Sequence, residues 1–173
     1  MHLLTFMKIG QPSLFFRLLV LGAQGVFWNA FFVAYLISPP AAHRFVGYLE
    51  EEAVLTYTNI VNEIKRGNIP EWGPGKQAVP DIAKDYWRLG HDATMLDLVL
   101  AVRADEASHR FTNHTLANLN QDDFNPLAMK HAPPEIEGTT DGFTREQSKA
   151  WLEDVERELK PCESQAKKEG LDK

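Results

Sequence analysis

The chain has 173 residues, 44% of them hydrophobic, which is one domain's length with enough apolar material for a core. Net charge is −6 and unevenly placed: residues 1–50 hold Lys8, Arg17 and Arg44 against Glu50, so they are net +2 and the remainder is −8. No basic face for a nucleic-acid duplex is built, and the single cysteine, Cys162, excludes an intrachain disulfide framework and a cysteine-based metal cluster.

Residues 1–9 read as the end of a helix, and Gly10-Gln11-Pro12-Ser13 as a break. The N-terminus shows no basic n-region and no small-residue cleavage site. Leu18 through Ile37 is an uncharged apolar run, stopped by Pro39-Pro40. Its length is enough to span a bilayer, and it also suits an interfacial or bundle-buried helix. Phe27 and Trp28 in it read as core or interfacial aromatics. A third helix is expected from Ala42 to Lys65, with Gly67 after it as a stop. Residues 67–80 are a Gly- and Pro-rich loop, and a fourth helix is expected from Pro80-Asp81 to Asn118. Asn120 to Gly142 reads as loop, and Phe143 to Leu159 as a short helix with a Thr144–Gln147 capping box. A polar tail, Pro161 to Lys173, ends the chain. No segment has strand period, so the fold class is all-α.

Two stretches carry chemistry. In Arg103 to Arg110, Glu106 and His109 are three apart in a helical pattern and so share a face. Four-helix bundles hold two iron or manganese ions with Glu-x-x-His on two helices and a Glu from each of the other two. Standing alone, the motif also fits a solvated surface. In the third helix, Glu50-Glu51-Glu52 sweep about 200° of circumference, so they cannot all face one way. As a charge run they fit a solvated face. Tyr57 shares a face with Glu50, and Thr56 with Glu52. His43, His91, His114 and His131 read as surface or core histidines, and Asp92 and Asp97 stay open as partners near a metal.

Leu49 to Ala53 with Thr56-Tyr57, together with Arg103 to Arg110, resembles the alternative oxidases, the cyanide-insensitive ubiquinol oxidases of mitochondria. Met1-His2-Leu3 resembles the end of that family's Asn-Glu-Arg-Met-His-Leu motif, and Tyr35 to Pro39 and Asp85 to Arg88 are similar too. The resemblance covers roughly residues 1–118, leaving 119–173 as a C-terminal loop, short helix and polar tail.

It implies a ferritin-like di-iron four-helix bundle with a membrane-surface helix. It also implies two iron ions, ubiquinol and O₂ as substrates, and reduction of O₂ to water without proton pumping. The implied setting is monotopic, on the matrix face of the mitochondrial inner membrane, as a homodimer. Residue by residue, it implies iron ligation by His2, Glu50, Glu106 and His109. Tyr57 would serve electron transfer, while Glu52 and Thr56 would line the ubiquinol pocket, Glu52 as a proton acceptor. Tyr35, Tyr86 and Asp105 would either support the ligands from behind or serve the fold itself. The family pattern has six ligands, of which four have a match, and its first bundle helix, one membrane-binding helix and two Glu ligands have none. The expectation is therefore an incomplete fragment, inactive as it stands. Alternatives are an inactive truncated membrane-associated helical protein and the plastid-type plastoquinol oxidase. His2 and Glu50 must meet at one centre; a spanning run between them would part their flanks by about 30 Å. A helix lying on the membrane surface avoids this.

Overall fold

A computed structural model describes residues 1–120, 125–129, 149–155 and 157–158. The helices are α1 (His2–Ile9), α2 (Leu14–Ile37), α3 (Pro39–Lys65), α4 (Asp81–Trp87), α5 (Met95–Asn118) and α6 (Pro126–Met129), with a 3-10 turn at Pro70–Trp72. Residues 149–155 are also helical, and no strand occurs among the described residues, as the all-α reading expects. The Thr144–Gln147 capping box and His131 lie outside the described residues.

Ser38 alone separates α2 from α3. Its side chain accepts from the Ala41 N–H, and Pro39 and Pro40 occupy the first turn of α3, where no N–H is needed. The prolines therefore stop one helix by starting the next, and α3 begins three residues earlier than Ala42. The chain then folds back: Phe27 lies against Phe45 at 6.4 Å between centroids, and Tyr35 against His43 at 5.5 Å. α2 thus runs beside the first turns of α3, and its two flanks return to the same region.

The single helix expected from Pro80 to Asn118 is two helices. Arg88 adopts φ +53°, the only positive-φ non-glycine among the described residues, and ends α4 there. A left-handed turn costs about 1–2 kcal/mol for a residue with a Cβ. The restart is locally encoded: Thr94 and Asp97 form a capping box, the Thr94 side chain accepting from the Asp97 N–H and the Asp97 carboxylate from the Thr94 N–H. Asp97 is therefore a cap, not a partner near the metal.

The core lies between α3 and α5. Val54 and Val61 of α3, and Leu98, Val99, Val102, Ala107 and Phe111 of α5, are buried. α4 closes one end through Ala83, with Val79 and Met95 in the same cluster. At the other end Trp151 and Val155 pack on Phe111. α2 is different: none of its 24 residues is buried, and Arg17 is its only charge. It is long and apolar enough to cross a membrane by length and composition.

Candidate metal centre

Three helices bring four of the expected ligands together. Glu106 and His109, one turn apart on α5, face Glu50 of α3, and one ligand atom from each lies within 4.8 Å of the others. His2, the first residue of α1, adds its Nδ1 at 3.0 Å from Glu106 Oε1. His109 Nδ1 lies 3.3 Å from Glu106 Oε2. Glu106 is buried, Glu50 half-buried, and His109 open on one side.

The protons show how the cluster is balanced. Burial pushes Glu50 up to about 7, helped by its hydrogen bond to Glu106 and by that carboxylate's charge. Burial also acts against an ionised Glu106, but hydrogen bonds from His109, His2 and Glu50 outweigh it and hold that acid well below the usual range. The two acids therefore share one proton, as close carboxylates do. His2 is raised, chiefly by its bond to Glu106, and His109 likewise. His2 donates from Nδ1 to Glu106 and from Nε2 to Asp105 at 3.1 Å, which requires the imidazolium.

A divalent cation fits this donor set. Two carboxylates and two imidazoles suit a first-row ion such as iron or manganese. Protons now bridge the same lone pairs that a metal would take, so the ion would replace like with like.

The surroundings hold the ligands in place. Asp105 Oδ2 also accepts from Trp87 Nε1 at 2.9 Å, and the Trp87 ring stacks on His2 at 5.6 Å. Trp87 is the residue that sequence reasoning missed; its motif, Asp85 to Arg88, was visible, but its partner lies 18 residues on. Trp87 is the last residue of α4, directly before the left-handed Arg88. Tyr86 meets Trp87 edge-on at 5.0 Å and lines a cleft with Met1, His2, Leu3, Asp105 and His109. Tyr57 is half-buried against the Val79–Val102 cluster, its phenol raised by burial and then by the charges of Glu106 and Glu50. Glu52 and Thr56 are exposed. Tyr35 is exposed beside His43, its Oη 3.4 Å from Nε2, and His43 Nδ1 lies 3.0 Å from Asn113 Oδ1. His91 is exposed and His114 is core.

Residues 1–118 match the sequence model of the family described as alternative oxidase. A protein named mitochondrial alternative oxidase from Cryptococcus neoformans var. grubii is 58% identical over 160 residues, covering 92% of this chain and 39% of its own length. Proteins of the same name from Ajellomyces capsulatus and Aspergillus niger are each 57% identical, over 78% of this chain and 38% of their own length. The chain thus spans about two fifths of the length of these relatives.

Proposed function

The chain belongs to the alternative oxidase family, and from that premise we propose that it supplies most of the metal centre of a ubiquinol:oxygen oxidoreductase. The carrying observation is the convergence of Glu50, Glu106 and His109 from two helices, with His2 of a third against Glu106. In this reading His2, Glu50, Glu106 and His109 hold two iron ions, and the two further Glu ligands of the family pattern come from sequence that this chain does not share with its relatives. Two iron ions held there would supply the redox chemistry for oxidising ubiquinol and reducing O₂ to water, without proton pumping.

The chain's own residues do the rest. Asp105, fixed by Trp87, holds the His2 ring at the centre. Tyr57 keeps its phenolic proton at neutral pH because burial and two acids oppose its loss. A neutral phenol beside the acids can give up an electron and a proton together. Glu52, exposed one turn from Thr56, takes the proton released by ubiquinol. Tyr35 and Tyr86 support the histidines His43 and His2 from the rim.

α2 carries the membrane association. A 24-residue helix with no buried residue and one charge leaves a large apolar surface that water does not favour. Its fold-back on α3 suits a helix lying in one leaflet of the mitochondrial inner membrane, on the matrix side, rather than a span. The assembly in this reading is a homodimer.

The test joins the preceding residues of the Cryptococcus relative to this chain. Iron content is measured beside ubiquinol-dependent, cyanide-resistant oxygen uptake. Two irons with uptake in the extended chain supports the proposal. An extended chain that holds two irons and consumes no oxygen with ubiquinol overturns it.

A further inference from the structure

Among the described residues, the most deeply buried titratable side chain lies outside the metal cluster. His114 of α5 is fully buried, and α3 builds its socket from Arg44, Gly47, Tyr48 and Glu51. These positions are i, i+3, i+4 and i+7, one continuous stripe of a helix face. Gly47 makes the socket possible: a Cβ there would stand 2.5 Å from His114 Nδ1. Tyr48 closes the side, edge-on at 5.4 Å.

The hydrogen bonds fix the tautomer. A guanidinium only donates, so Arg44 Nη1, at 2.8 Å, gives its hydrogen to His114 Nδ1. Nε2 must then carry the ring's proton, and it donates to Glu51 Oε1 at 2.7 Å. Arg44 also donates to Asn118, so two positions of α5 one turn apart, His114 and Asn118, hold the same arginine of α3. His114 is thus a neutral imidazole with one acceptor and one donor, both used.

Glu51 neighbours the candidate ligand Glu50. Successive residues are about 100° apart around a helix. α3 carries three consecutive acids, and a rotation of that size would present a different one to α5. Hydrophobic packing sets such a rotation loosely, because Val54 and Val61 are small; a buried polar clasp sets it sharply, because a rotated α3 would leave Glu51 or His114 without its partner.

We propose that His114 is a positioning residue: its clasp on Glu51, Arg44 and the Gly47 gap fixes the rotation of α3 so that Glu50, and not a neighbouring acid, faces Glu106 and His109. This rests on the metal-centre reading above. Its mechanical half, the clasp itself, is independent of any metal.

The test uses this chain in detergent, three single variants and one double variant. His114→Leu keeps apolar bulk and loses both hydrogen bonds. His114→Gln keeps both, since an amide oxygen can accept from Arg44 and the amide nitrogen can donate to Glu51. Glu51→Gln alters the other side. Co²⁺ is titrated by its visible absorption, and each protein is melted without metal. Co²⁺ affinity is expected to fall about 10-fold or more in His114→Leu, the range for residues that orient ligands, and to return near the parent value in His114→Gln. In the melts, the double variant His114→Leu/Glu51→Gln is expected to lose little more than His114→Leu alone, because Glu51→Gln only weakens a bond that His114→Leu has already removed. Additive losses overturn the clasp whether or not metal binds. A His114→Leu protein that binds Co²⁺ like the parent overturns the positioning role. If the parent takes no Co²⁺, the metal-centre reading and the positioning role that rests on it both fall, while coupled melts still hold the clasp to test.

Discussion

Gly47→Ala separates two opposing effects of known size. Gly47 lies within α3 with helix on both sides, and exchanging a helix-interior Gly for Ala stabilises by about 1 kcal/mol when nothing else changes. Here the new Cβ would fall 2.5 Å from His114 Nδ1, 2.6 Å from Cε1 and 3.1 Å from Cγ. The imidazole is fully buried and held on both nitrogens, so it has no open side to retreat to. Overpacking of this kind costs roughly 1–3 kcal/mol. Weakening the bonds to Arg44 and Glu51, both charged partners, adds about 1.5–3 kcal/mol. The cost exceeds the helix gain, and a net loss of roughly 1.5–5 kcal/mol lowers the melting temperature by about 3–20 °C for a chain of this size. The assay is a circular-dichroism melt in detergent, run beside Gly22→Ala. A Cβ at Gly22 meets nothing within 4 Å, so that control is expected to be neutral or stabilising. A Gly47→Ala protein that melts as high as Gly22→Ala or higher would refute the packing of His114 on α3.

Three further outcomes follow from the same geometry. In chelator, stability is expected to fall as pH rises from 6.5 to 8: His2 and His109 have raised folded-state values, so their contribution is complete below 6.5 and lost above it. Glu50 has lost its share by about 7, and the lowered His114 opposes the trend only until the unfolded imidazole has given up its proton, just above 6.5. Melts at four pH values check this, and Glu50→Gln is expected to raise the melting temperature at pH 8 by removing an acid whose ionisation is opposed; a rise in stability with pH contradicts the balance described. Trp87→Phe keeps a ring over His2 and loses the bond to the Asp105 carboxylate, so it is expected to cost about 1.5–3 kcal/mol of stability and roughly 10-fold in metal affinity. Equal metal affinity in the two proteins would remove Trp87 from the centre's support. Trp28, exposed near the middle of α2, reports depth: a helix lying in the interface is quenched best by lipids brominated close to the headgroup, and a spanning helix by lipids brominated near the chain ends.

Much of the fold was legible because the signals are local. Pro39-Pro40 marks a helix boundary by geometry alone, and Glu106 with His109 share a face by spacing alone. The break inside residues 80–118 was not read, although Thr94 and Asp97 spell a capping box; Arg88 gives no warning, since arginine has no preference for the left-handed conformation that ends α4. The bonds from Trp87 to Asp105 and from His114 to Glu51 pair residues 18 and 63 apart. No periodicity connects such pairs. Which acid of Glu50-Glu51-Glu52 faces α5 was open from the residues and came only with the resemblance; in the fold, the contacts of Glu51 with His114 leave Glu50 for Glu106.

The central claim is that Glu50, Glu106, His109 and His2 hold metal. Its most direct test is an anaerobic Fe²⁺ titration of the chain and of Glu106→Gln, followed by calorimetry with proton release recorded in two buffers. The account predicts saturable binding that displaces protons in the parent chain, because the shared acid proton and the imidazolium protons occupy the ligand atoms, and loss of both signals in Glu106→Gln. Binding of equal strength in the two proteins, or binding with no proton release, would contradict it.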